Sequence, residues 1–252
     1  MAEHINIEGN WNTSFDSLDK VDFQGFPQSL NAPNSDVTIM VNPGGSNSLG
    51  VITSLTDALD RVETYRCGSL TIQLAAAVTT TQTVTGPYTL APILPDLVTI
   101  DGNNGASGRI RFHAAGTQQS NLVVTLSGKR IVFDGCIFNS DSGVSTTALV
   151  FAQGYGDLIF DTCTFQYGEY AIDTRGPNVS VEGGTINNIN LGASSLNAVF
   201  YANAENLVTI SVHNTTGANN NRLYNFDSPV LLIHEGISLG VTTGIKTFSV
   251  VT

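Results

Sequence analysis

"RIVFDGCIFN" occupies residues 130–139 and "LIFDTCTFQY" residues 158–167, so the phrase Phe-Asp-x-Cys-x-Phe is written twice. It is either a metal or redox site built on Cys136 and Cys163, or one structural unit used again. Further apolar strands share its texture: "LTIQLAA" (70–76), "LVTIDG" (97–102), "VSVEGG" (179–184), "LVTISV" (207–212) and "VLLIHEG" (230–236). Aligning Ile72, Ile100, Phe133, Phe160, Val181, Ile210 and Ile233 spaces the copies by roughly 21 to 33 residues, as the coils of a solenoid with unequal loops would be. Gly184 fills the cysteine phase in the copy after Cys163. A metal or redox pair gives no reason for that glycine, so cysteine reads here as a small, soft packing residue.

Asp101, Asp134, Asp161 and Glu182 follow the aligned apolar residue in four copies, and Gly or Thr comes next in each. Each copy therefore makes an apolar strand, bends, and resumes in a second strand such as "CIF" (136–138) or "CTF" (163–165). Upstream, "NLVVTLSG" (121–128), "ALVFAQG" (148–154), "YAIDTRG" (170–176), "NAVFYAN" (197–203) and "RLYNFDS" (222–228) supply another set of short strands. Two or three strands per coil predict an all-β, single-stranded parallel β-helix of about six or seven coils. Short alternating strands also suit an antiparallel sandwich, but hairpins do not require the acidic bend to recur at one phase. The hexapeptide rhythm of a left-handed helix is absent.

The chain has 252 residues, 41% of them hydrophobic, which is enough to bury a core. Charged residues make up 12%, and small polar turn residues replace them, as in many extracellular and virion β proteins. A net charge of −11 without a basic run argues against nucleic-acid binding. The start "MAEHINIEGN" lacks the features of a signal peptide and no stretch is apolar enough to span a bilayer, so synthesis in a cytoplasm without membrane insertion is expected. Three cysteines make neither a disulfide framework nor a zinc pattern.

Residues 1–36 read as an N-terminal arm whose Trp11, Phe15, Phe23 and Phe26 have no regular period and need a surface to dock on. Residues 37–69 hold an opening strand "DVTIMV", a Pro/Gly/Asn loop and the helical pattern "TSLTDALDRVE". Leu55, Leu59 and Val62 share one face of that helix, with Thr53 or Ser54 as N-cap and Asp57 in the first turn. Residues 70–240 form the repetitive body, and 241–252 alternate as a C-terminal cap or subunit-pairing strand.

"VTIMVNPGGSNSLG", "SLTDALDRV", "GSLTIQLAAAV" and "LVTIDGNNG" succeed one another over residues 37–105. This order resembles the opening of the pectate-lyase-like right-handed β-helix of phage tailspikes, fibres and related virion structural proteins. The resemblance implies a helix capping the solenoid and a homotrimer of parallel solenoids. It also implies a virion-surface role as a capsid decoration or head fibre, or a short tail fibre. The arm would bind the major capsid or tail protein. Because the fold hosts several activities, a host-glycan receptor-binding protein and a polysaccharide-degrading tailspike-like enzyme are the alternatives.

Asp134, Asp161 and Glu182 are the catalytic candidates, since carboxylates on adjacent coils would lie about 5 Å apart, as in retaining glycosidases. The plainer reading is solvated acids at an outward bend. Asp173 and Arg175 in "DTRG" suggest a surface ion pair. Tyr155, Tyr167 and Tyr170 are candidates for a glycan-binding face, although packing or a subunit interface also explains them. His4, His113, His213 and His234 occur singly, and only His234 adjoins a carboxylate, Glu235. No Ser-His-Asp or Cys-His set can be assembled from spacing, and no metal or cofactor is expected. Asn178-Val-Ser and Asn214-Thr-Thr match the glycosylation acceptor pattern by chance.

Overall fold

A computed structural model describes residues 36–48, 50–63, 65, 67–93, 95–102, 108–114, 120–141, 148–189 and 198–241. The arm with Trp11, Phe15, Phe23 and Phe26 lies outside the described residues, as do His4 and residues 242–252.

The chain begins with β1 (Asp36–Val41) and β2 (Val51–Ile52), then helix α1 (Leu55–Asp60), which tightens into a 3₁₀ turn over Arg61–Glu63. Strands β3 (Ser69–Leu74), β4 (Gln82–Thr85), β5 (Tyr88–Leu90), β6 (Leu97–Asp101) and β7 (Ile110–Ala114) follow. The longest strands come next: β8 (Leu122–Asp134), with β9 (Ile137–Ser140) after it, and β10 (Ala148–Asp161), with β11 (Thr164–Gln166). Then come β12 (Tyr170–Arg175), β13 (Asn178–Glu182), β14 (Thr185–Asn187) and β15 (Ala198–Ala202). The last are β16 (Val208–His213), β17 (Thr216–Ala218), β18 (Tyr224–Phe226) and β19 (Val230–Glu235).

The fold is mostly β, and every ladder between named strands is parallel, which removes the antiparallel sandwich. Thirteen strands form one sheet and six (β17-β14-β11-β9-β7-β4) the other. β8 and β10 serve the larger sheet twice. Their second halves join the line β1, β3, β6, β13, β16, β19, and their first halves join β5, β12, β15 and β18. β1 pairs with β3 along its whole length, so the opening strand already belongs to the ladder.

Alternation decides which side chains enter the core. In β3 the pattern buries Leu70, Ile72 and Leu74 and leaves Ser69, Thr71 and Gln73 partly exposed. The buried column runs Ile39, Ile72, Ile100, Phe133, Phe160, Val181, Val212. It follows the expected alignment as far as Val181 and then departs. Val181 pairs with Val212 rather than Ile210, and Ile210 pairs with Leu232 rather than Ile233. Both Ile210 and Val212 are buried, so hydrophobicity alone could not choose between them. A slip of one residue exchanges the two faces of a strand, and Ile233 is accordingly 44% exposed.

Five phenylalanines fill the middle of the core. Phe112, Phe138 and Phe165 stack along the smaller sheet with centroids 5.3 and 5.0 Å apart, and Phe133 stacks on Phe160 at 5.4 Å. The columns meet edge to face, as Phe133 and Phe138 do at 5.3 Å, the arrangement that aromatic quadrupoles favour. Helix α1 begins where expected: Ser54 is the N-cap, its Oγ accepting from the Asp57 amide at 3.2 Å. Leu55, Ala58, Leu59 and Val62 are buried, and the helix touches β1, β2 and β4.

Phe138→Ala removes a ring shared by both aromatic columns and should cost about 3–5 kcal/mol. Denaturant unfolding should show this as a lower midpoint at unchanged slope, with Phe138→Leu losing clearly less.

Candidate functional site

The bend residues converge because each strand ends at the same register. Cross-strand partners run Gln73, Asp101, Asp134, Asp161, Glu182, His213, Glu235. The expected column of Asp134, Asp161 and Glu182 is therefore present, as part of a longer line. Neighbours in it stand about 4.8 Å apart, close enough for like charges to repel. Burial, then Asp134 and Glu182, raises the pKa of Asp161. Hydroxyls offset part of the repulsion: Thr162 Oγ1 donates to Asp134 Oδ1 at 3.2 Å and Ser180 Oγ to Glu182 Oε1 at 2.8 Å.

At its far end the acidic line contains a base. Ser211 and His213 are two residues apart on β16 and so point to the same side. The Ser211 Oγ lies 2.7 Å from His213 Nε2, while His213 Nδ1 lies 3.8 Å from Glu235 Oε2 on the next strand. Sequence reasoning had missed this set. The sign in the sequence was Ser-Val-His in an alternating strand, but its carboxylate comes from another rung. Pairing Ile210 with Ile233 would have set Gly236 opposite His213; the actual register sets Glu235 there. His234, the histidine beside a carboxylate in sequence, instead lies with its Nδ1 3.4 Å from the Tyr224 hydroxyl.

A groove of about 670 Å³ opens where β10 bends, lined in part by Tyr155, Arg175, Asn203, Asn206 and Leu207. Its floor is bare backbone at Gly154 and Gly176, both at positive φ. A Cβ on Gly154 would meet Leu126 O at 2.0 Å and one on Gly176 would meet Gly154 O at 2.0 Å. Over this floor Tyr155 is 65% exposed and Leu207 55%. Neither Tyr167 nor Tyr170 lines the groove, so the three candidate tyrosines do not form one platform. Tyr167 follows β11 at φ 63°, and the Tyr170 ring stacks on Tyr201 at 5.0 Å.

Arg175 is held by more than a surface ion pair. Its Nε and Nη2 donate to the two oxygens of Asp173, each at 3.2 Å, and the Asp173 side chain is almost fully buried. Burial raises the Asp173 pKa against the opposing pull of the guanidinium. The guanidinium carbon lies 5.4 Å from the centroid of Phe151 and 5.9 Å from that of Tyr201, both within cation–π range.

Cys136 and Cys163 are buried free thiols. Cys163 Sγ donates to Phe133 O at 3.3 Å, and burial pushes the Cys136 thiol up. A Cβ on Gly102, one residue before the cysteine phase, would approach Cys136 Sγ to 3.0 Å, and one on Gly184, which fills that phase after Cys163, would meet Cys163 O at 2.1 Å. Among the described residues, no group of three His, Cys, Asp or Glu side chains is placed to hold a metal ion, and no helix is long and apolar enough to cross a membrane. No protein-family model, curated protein or solved structure matches the chain.

Asp161→Asn removes the central charge of the line. Because the folded state raises this carboxyl's pKa, it binds the proton more tightly than the unfolded chain, so ionised Asp161 costs stability above the ordinary carboxylate range. The substitution should raise the melting temperature at pH 7 by roughly one or two degrees. The gain should vanish near pH 3, as thermal unfolding at the two pH values would check.

Proposed function

We propose that the chain is a phage virion structural protein, a capsid decoration or head fibre or a short tail fibre. It would be built as a right-handed parallel β-helix of about six or seven coils. The observation that carries the reading is the unbroken buried column from Ile39 to Val212, each residue paired with its counterpart one strand on. A rod made this way is rigid along its length and lends itself to projection and stabilisation rather than to turnover. The opening strand, the helix and the strands after it follow one another in the order in which the sequence resembles the opening of virion β-helices, which supports the reading. A short solenoid has a poor surface-to-volume ratio, which favours a homotrimer of side-by-side bodies. The arm would dock on the major capsid or tail protein through Trp11, Phe15, Phe23 and Phe26, at the virion surface.

Removing residues 1–35, which stops short of β1, should leave a folded, trimeric body by light scattering that no longer joins particles lacking the protein. Retained incorporation would sink the docking role, and a monomeric full-length chain would sink the trimer.

The second reading, recognition of a host surface glycan, is favoured by the exposed Tyr155 ring beside Arg175, Asn203 and Asn206. Tyr rings stack on the apolar faces of sugars while amides and guanidinium take the hydroxyls. Tyr155→Ala should abolish binding on a glycan array at unchanged fold, and an array blank for the unaltered protein removes this reading. Asp161→Asn separates both readings from a polysaccharide-degrading enzyme acting through Asp134, Asp161 and Glu182, which alone would lose activity.

A further inference from the structure

The end of the acidic line offers chemistry that neither reading uses, and it holds whether or not the chain belongs to a virion. We propose that Ser211, His213 and Glu235 form an acyl-transfer site for short-chain O-acyl esters, with the acyl group resting on Ile233. The 2.7 Å contact places the Ser211 Oγ within hydrogen-bond reach of His213 Nε2, as a nucleophile and its base require. When Nε2 accepts that proton, Nδ1 carries the other and faces Glu235 at 3.8 Å. Glu235 is thus a positioning residue for the imidazole, and Glu182 flanks the ring from β13.

Substrate class follows from what stands next to the nucleophile. Ser211 is directly opposite Ile233, an apolar side chain left 44% exposed, with partly buried Leu231 two residues before it on the same strand. It can cover a few methylenes of an acyl chain. In the reaction, a bond forms from Oγ to the acyl carbon as the Oγ proton passes to Nε2. The ester C–O bond then breaks, and the departing alcohol takes that proton, leaving the acyl group on Ser211. Water attacks the acyl carbon by the same proton route, releasing the carboxylic acid and restoring the serine.

β16 is paired on both sides, to β13 and β19, so its amides are engaged in the ladder and the developing oxyanion is met by water. The site therefore works through base catalysis alone. About 10²- to 10⁴-fold over the same chain without the base is the expected acceleration.

The test uses the full chain with p-nitrophenyl acetate and butyrate, and a fluorophosphonate probe mapped by mass spectrometry. The unaltered protein should hydrolyse both esters and carry the label on Ser211. Ser211→Ala should abolish both signals, and His213→Gln should lower the rate at least about 10²-fold. Glu235→Gln should reduce kcat several-fold at unchanged KM, with Glu235→Asp recovering part of it. Ile233→Ser should raise KM for butyrate and leave acetate alone. All of these positions face outward, so strand content by circular dichroism should stay constant. A rate no better than imidazole, a label elsewhere, or full activity in Ser211→Ala would overturn the site; an unchanged butyrate KM in Ile233→Ser would overturn the acyl rest.

Discussion

Backbone hydrogen bonding between parallel neighbours fixes which residue stands over which, and the core, the acidic line and the groove all inherit their positions from it. The ladder from β1 to β19 holds corresponding residues of successive strands about 4.8 Å apart. A side chain chosen once is therefore set against its counterpart on both sides. Phenylalanine on phenylalanine then gives continuous stacking, whereas aspartate on aspartate gives repulsion that hydroxyl groups and water must moderate.

The same closeness restricts what can occupy the bends. Where β10 turns, the neighbouring carbonyl lies so near that a Cβ at Gly154 or Gly176 would overlap it. Glycine there meets both a positive φ and a steric limit. Both glycines line the groove beside Tyr155. Backbone packed this closely thus borders a concave surface that carries an exposed ring.

The doubled phrase at residues 130–139 and 158–167 announced the strands, the bend and the small cysteine phase correctly, because each is a local pattern repeated in register. The helix start at Ser54 was equally legible, since capping depends on residues three apart. What could not be read was the pairing after Val181. Ile210 and Val212 are both apolar and both buried, and the intervening loop has no fixed length, so two alignments were equally hydrophobic. A second ambiguity, between apolar Leu232 and Ile233 as the partner of Ile210, hid the approach of Glu235 to His213. The three candidate tyrosines likewise looked like one cluster, although only Tyr155 lies on the bend that forms the groove. Sequence period shows that strands stack; interactions across the stack depend on loop lengths that the period does not contain.

All three cysteines of the chain are buried free thiols, and Cys136 and Cys163 lie on successive rungs with Gly184 on the next. No covalent cross-link contributes to the packing. The interior is therefore complete without an oxidising step: every contact that fills it is made with the thiols reduced.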